Sequence, residues 1–447
     1  MLWESAPGAA GSGGGSALVE RELVLRAAAK TRGPRWPRTH AAMFERLSAS
    51  RGALGPLGAF AGGALPTTVL SCGAPALLPL LSTDEVLPLR ATCREAAAAI
   101  AQHPWEDSET LIKGRVRDWR ACFPRAHAAN MAGKDRFGDS LSVRVTLLAD
   151  AELIHLAGLR TLNITGRKEL TDAAFAHLRG IHALDMSWCT QVGITDAAFA
   201  HLRGIHTLDM SWCSQAGITD AAFAHLAGVH TLYMRCCNQA GITDAAFAHL
   251  RGIHTLSIVY CDQAGITDAA FVHLRGIHTL DMGRCSQDSI TDAAFVNLRG
   301  IHTLDMNGCV QAGITDAAFA HLRGVHTLVM NECSQEGITD AAFAHLRGIH
   351  TLHMSDCSQE RITDAAFAHL AGIHTLNMDY CSQESITDAA FAHLRGIHTL
   401  SMLCCDQAGI TGAAISHLCS IRMLNVEGCN QACVVAGRAL QLPACYF

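Results

Sequence analysis

Along Ile194–Gly217 the chain reads ITDAAFAHLRGIHTLDMSWCSQAG, and two hydrophobic periods share that stretch. Phe199 and Leu202 stand three residues apart, which places them on one face of a helix. Thr195 or Asp196 can cap that helix through a side-chain oxygen, and Gly204 can supply a left-handed turn at its end. The spacing predicts a short helix of about two turns. Leu208 and Met210 then alternate with Thr207, Asp209 and Ser211, the period of a strand. One strand and one short helix cannot bury a core alone. Stacked copies can, because each covers the apolar edge of the next.

The copies exist. The Asp of the pattern recurs at Asp172, Asp196, Asp220, Asp244, Asp268, Asp292, Asp316, Asp340, Asp364 and Asp388. A fixed period of this size marks a repeat architecture. The strand mark recurs twelve times, from Leu162 and Leu184 through Leu208 to Leu424, so twelve parallel strands are expected. The last copy decays, with Gly412 for the Asp and Arg422 for the His. Residues 430–447 carry no strand mark and are expected to form a C-terminal cap.

The pattern L-x-x-I-x-x-L-x-M-x-x-C-x-x-x-x-I-T-D resembles the leucine-rich-repeat family, in particular its cysteine-containing class. Met stands here where Leu is usual, and Phe replaces a helix Leu; both keep an apolar group of similar bulk. The resemblance implies an α/β solenoid, a horseshoe of about twelve 24-residue repeats over residues 146–429.

The segments before the repeats differ in character. Residues 1–64 are rich in Gly, Ala and Ser, with GSGGGS at Gly11–Ser16, and are expected to be mostly disordered. Residues 65–105 are dense in Leu and Ala. Ser82 followed by Glu85 marks a helix start, and Ala91–Ala101 is a strong helix former that His103-Pro104 ends. These features predict a small all-α unit. Leu81-Ser82-Thr83-Asp84-Glu85-Val86 resembles the L-x-x-x-D-L of the F-box family, Leu89-Arg90-Ala91-Thr92-Cys93-Arg94 resembles its L-R-x-V-C-R, and Trp105 matches its closing Trp. The resemblance implies that Leu77, Leu78, Leu81, Val86, Leu87 and Leu89 pack the unit and contact a Skp-type adaptor of a cullin–RING ubiquitin ligase. The alternative is a plain helical cap for the first repeat. In residues 106–145, Trp119, Phe123 and Ala126–Ala129 suggest a linker with an irregular first strand that caps the solenoid.

Charge sharpens the picture. Residues 1–145 hold 18 Lys and Arg against 13 Asp and Glu, a balance of +5, and the whole chain carries −6, which leaves −11 on the remainder. An acidic solenoid argues against nucleic acid as partner. No apolar run is long enough to span a membrane, and the N-terminus lacks a secretory signal. Eleven of the nineteen Cys form one column, Cys189 to Cys429. Reduced thiols lining a core are expected, in cytosol or nucleus. No Cys-x-x-Cys pair occurs, so no metal and no cofactor are expected. Two columns of His, through His201 and His206, read as polar stacks that make stability pH-sensitive.

The copies differ at three positions each: the residue between Leu and Met, and the two after Met. These side chains are expected to face away from the core, on the concave sheet or its rim. They supply a candidate protein-binding set: Asp185, Trp188, Asp209, Trp212, Tyr233, Arg235, Tyr260, Asp281, Arg284, Asp305, Glu332, His353, Asp356, Asp379 and Tyr380. Aromatics and Arg among acidic neighbours suit a protein-binding face. No P-loop, G-x-S-x-G or H-E-x-x-H occurs, so catalysis is not expected. The function expected is substrate recognition for an SCF-type ligase, with a scaffold unconnected to ubiquitin as the alternative.

Overall fold

The computed structural model describes residues 78, 82–90, 94–112, 114–133, 148–418, 420–440 and 444–446. The chain divides into two compact units, Met1–Ala129 and Asn130–Phe447.

The first unit is helical among its described residues. Helix α1 spans Thr83–Arg90, α2 Arg94–Gln102 and α3 Val116–Cys122. Pro104 follows the end of α2 closely, as a residue that cannot continue a helix. Leu78, Val86, Ile100, Trp105, Val116, Trp119 and Phe123 are buried together. Trp105 donates its indole N–H to Ile100 O at 2.8 Å and meets Phe123 edge-on at 5.6 Å. Asp107 accepts the Thr83 N–H at 2.7 Å and so caps α1. Burial works against its charge, yet hydrogen bonds from Thr83, Thr110 and Glu109 hold its carboxyl below the ordinary value. Trp119, expected near a strand, lies in α3 instead, and the strand β1 is limited to Ala128–Asn130. Residues 1–64 lie outside the described residues.

The second unit is a leucine-rich-repeat solenoid. Its three-residue strands are β2 (Thr161–Asn163), β3 (Ala183–Asp185), β4 (Thr207–Asp209), and one every 24 residues thereafter to β13 (Met423–Asn425). They form a parallel sheet in strict sequence order, with Leu paired to Leu at each step, as Leu208 to Leu232. Between strands lies a helix of four residues, Asp196–Phe199 in the copy quoted above. It is shorter than the spacing predicts. The turn tightens after Phe199 into three-residue bonds, Leu202 N to Phe199 O and Ile205 N to Leu202 O, before Gly204 takes φ +81°.

Thr, not Asp, is the N-cap: Thr195 Oγ1 accepts the Ala197 N–H. The Asp does something the single repeat does not show. Asp172 accepts the Thr195 N–H and its hydroxyl, each at 2.7 Å, and every Asp through Asp388 serves the Thr of the next copy in this way. The ladder begins one step early, where Asp150 accepts from Thr171. It ends because Gly412 makes room. A Cβ there would stand 3.2 Å from Ala432 O, in a capping helix over Gln431–Ala439. After that helix β14 (Ala444–Tyr446) pairs with β13 and extends the sheet by one strand beyond the twelve expected.

Inside, Ile194, Ala198, Phe199, Leu202, Ile205, Leu208, Met210 and Cys213 are each at most 2% exposed, and their counterparts repeat the columns. Each core Cys donates its thiol to the carbonyl of the Met, or of Ile164 or Ile258 in its place, of the copy before, as Cys237 to Met210 O at 3.1 Å. Burial pushes these thiols up, Cys189 to about 12. A Gln two residues on donates to the preceding Cys carbonyl, as Gln335 to Cys309 O at 2.8 Å. The first described copy departs: Arg167 stands in the Cys column, 2% exposed, and reaches Met131 O.

Candidate functional site

The strands place the first variable column opposite the core. Leu208 and Met210 are buried while Asp209 between them stays half-buried, and the same alternation repeats along the sheet except at the buried Ser257. Asp185 and Asp209 are register partners on neighbouring strands, as are Asp281 and Asp305.

The third variable column has a property that the strand period did not reveal. Trp188, Trp212, Cys236, Tyr260, Arg284, Glu332, Asp356, Tyr380 and Cys404 all take a left-handed backbone, with φ between 55° and 62°. Such a conformation costs a non-Gly residue about 1–2 kcal/mol. It is held in place by the neighbouring copy, since Trp188 N donates to Ser211 O and Trp212 N to Arg235 O. Gly308 and Gly428 in that column were the one signal in the sequence. The turn aims each side chain along the solenoid, so that Trp188 and Trp212 stack at 4.3 Å with planes 8° apart.

Two arginines cross the face. Arg235 donates Nε to Ser257 Oγ at 3.0 Å and forms an ion pair with Asp281 at 2.8 Å, passing over a small residue. Arg284 lies over the Tyr260 ring at 5.8 Å and pairs with Glu332 across Gly308. A Cβ on Gly308 would stand 2.9 Å from Arg284 Cγ, so only Gly admits the crossing.

A cavity of about 390 Å³ opens at one end of the sheet face. Asp185, Trp188, Asp209, Trp212, Tyr233 and Arg235 from the candidate set line it, with Ser187 and Ser211. Asn163 and Thr165 complete it; they occupy the same columns one copy earlier and were not singled out in the sequence. Burial and then the nearby Asp185 carboxylate raise the Asp209 carboxyl above its ordinary value, against weaker hydrogen bonds from Ser211 and the pull of Arg235. Burial likewise raises Asp305. The rest of the set lies farther along. Asp379 is spent within the face, accepting the Leu403 N–H and the Ser401 hydroxyl. Burial lowers His353, with Asp379 opposing. Tyr380 is 53% exposed beside Asp356 in their shared column. In the first unit, Leu78 and Val86 are buried and Leu87 is 40% exposed. Leu77 and Leu81 lie outside the described residues, and the side chain of Leu89 is likewise not described.

The His columns stack rather than converge. His182 to His398 form a run of ten imidazoles with centroids 4.4–4.6 Å apart. In the second column, Arg203 donates Nε to His225 Nδ1. Asn297 replaces one His there and accepts the same bond from Arg275 at 3.1 Å, so the column acts as an acceptor. Among the described residues no three His, Cys, Asp or Glu side chains gather as a metal site, and no helix is long and apolar enough to cross a membrane.

The chain matches no family model, and no curated protein matches it in sequence. Its likeness is to solved leucine-rich-repeat folds. The Toll receptor of Drosophila in its complex with Spatzle is 14% identical, with a TM-score of 0.51 over 64% of this chain and 38% of that one. In the glycosylated form of that complex the figures are 12%, 0.52, 71% and 46%. An internalin of Listeria monocytogenes is 16% identical, with a TM-score of 0.51 over 71% of this chain and 85% of that one. The chain therefore spans less than half the length of the Toll chains it is similar to. These folds and the chain's own ladders set its fold class, a leucine-rich-repeat solenoid.

Proposed function

We propose that the sheet face binds a protein partner and that the helical unit recruits a Skp-type adaptor, which makes the chain a non-catalytic substrate-recognition subunit of an SCF-type ubiquitin ligase. The observation that carries the binding role is the contrast between columns. The core columns and the Asp–Thr ladder barely vary, while the outward columns vary along most of the solenoid and concentrate Trp, Tyr and Arg beside carboxylates, residue types favoured at protein interfaces. The adaptor role is supported by the F-box-like motif and by Leu87, an apolar side chain left 40% exposed on α1.

Two experiments test the two halves. The full chain should co-purify with a Skp-type adaptor, and Leu87→Asp should abolish that, because Leu87 is exposed enough to be replaced without emptying the core. Failure of the unaltered chain to bind would leave the alternative, a repeat scaffold without a ligase link. Replacing Trp188, Trp212 and Tyr233 together by Ser should weaken partner capture by on the order of 100-fold or more, as expected for several anchors of 1–2 kcal/mol each. Unchanged capture would remove the sheet face from the function.

A further inference from the structure

We infer that the cavity at Asp185 and Asp209 receives the guanidinium of an arginine side chain from an extended basic segment of the bound protein. The inference rests on the reading of the sheet face as a protein-binding surface and names what that surface selects.

The face itself shows how it holds a guanidinium, twice. Arg235 meets a carboxylate and a Ser hydroxyl, at Asp281 and Ser257. Arg284 lies over an aromatic ring of the left-handed column, at Tyr260, before reaching its carboxylate. The cavity combines both arrangements. It has a carboxylate pair, Asp185 and Asp209, in the same column and register as Asp281 and Asp305. It also has a ring of the left-handed column, Trp212, 42% exposed and backed by Trp188 at 4.3 Å.

What differs is the cation. Asp281 has Arg235. Asp185 and Asp209 form no ion pair with any described residue. One oxygen of each is engaged locally: Asp185 Oδ1 accepts from Ser187, and Asp209 Oδ1 accepts from the Ser211 N–H. Asp185 Oδ2 accepts no hydrogen bond from a described residue, and apart from Ser211 no described residue hydrogen-bonds the Asp209 carboxylate. Arg235 lines the same cavity and draws on Asp209, but its charge is tied to Asp281 at 2.8 Å. Burial and then the Asp185 charge raise the Asp209 carboxyl, and a bound cation offsets both.

Arginine fits better than lysine. The carboxylates stand on neighbouring strands, and the planar fork can meet them with paired, parallel N–H bonds that a point-charge ammonium does not offer. A flat guanidinium also stacks on an indole face.

The test uses the full chain and three capped peptides, Gly-Arg-Gly, Gly-Lys-Gly and Gly-citrulline-Gly, followed by indole fluorescence and calorimetry. The arginine peptide should bind saturably, the lysine peptide about 3- to 10-fold more weakly, and the neutral citrulline peptide not measurably. Asp185→Asn with Asp209→Asn should weaken arginine binding by about tenfold or more. Trp212→Ser, at an exposed position, should weaken it independently if the double variant melts. Equal binding of arginine and citrulline, no saturable arginine binding, or binding unchanged in both variants would overturn the inference. If the Asn pair leaves peptide and partner binding intact while the Trp188, Trp212 and Tyr233 replacement abolishes partner binding, the guanidinium site fails and the binding face stands. If that triple replacement leaves partner binding intact, the binding face fails whatever the peptides do.

Discussion

Phe295→Ala is expected to split the solenoid into two weakly coupled halves. Phe295 is fully buried at the centre of a column of ten Phe rings running from Phe175 to Phe391. Truncating a buried Phe removes about 3–5 kcal/mol, part transfer free energy and part cavity. In an ordinary domain that loss shifts one midpoint. In a solenoid each copy touches only its neighbours, so the whole loss falls on the two interfaces that Phe295 serves. The Asp292 carboxylate, which accepts from Thr315 and from Ala318 N, remains and cannot replace the lost packing. Urea unfolding followed by far-ultraviolet circular dichroism should change from one transition to two, or to one of clearly lower slope. A single transition displaced by less than about 1 kcal/mol would show that neighbouring rings close the gap. Phe→Ala at the end of the Phe column, at Phe391, should lower the midpoint without dividing the transition.

Acidification is expected to melt the same structure. Partial burial, and then the charge that neighbouring imidazoles would carry, hold His230, His278 and His326 below their ordinary value of 6.5. The unfolded chain therefore takes up protons first as pH falls. The contribution of these groups is fully present above pH 6.5 and is lost below it, through the folded values. The melting temperature should fall between about pH 7.5 and about pH 5.5, in the window where His titrates. Replacing His230, His278 and His326 by Asn should flatten the response. A flat profile in the unaltered chain would refute the account.

Much of the solenoid was legible because its determinants are local and periodic. Leu and Met two apart mark a strand wherever they occur, and a constant step of 24 residues leaves each strand one possible neighbour on either side. What escaped depended on the next copy. Asp196 looks like a cap when its repeat is read alone; only stacking shows it serving Thr219. The left-handed column looked like strand continuation because nine of its members are not Gly. The last strand, Ala444–Tyr446, was hidden because it lacks the Leu-x-Met mark and follows a helix unlike the others. The variable residues were identifiable as a set from Asp185 onward, but Asn163 and Thr165 one copy earlier were not. Their division into a cavity, two arginine crossings and a spent carboxylate at Asp379 was not, since it depends on contacts 22 to 48 residues apart.

Near-identical copies carry a hazard during folding. A strand that meets the wrong copy still finds Leu opposite Leu and Asp opposite Thr, so one whole repeat can be skipped and looped out. Closing such a loop is opposed only by a slowly growing entropy, about 0.6 kcal/mol per doubling of its length. The crossing of Arg284 over Gly308 to Glu332 acts against that error as a key acts in a lock. It requires three particular copies in a row. Skip the middle one and the guanidinium meets Glu332 one step too soon, with Tyr260 still on its other side and no flat glycine to lie across. The same irregularity that shapes the sheet face thus counts the repeats as they assemble.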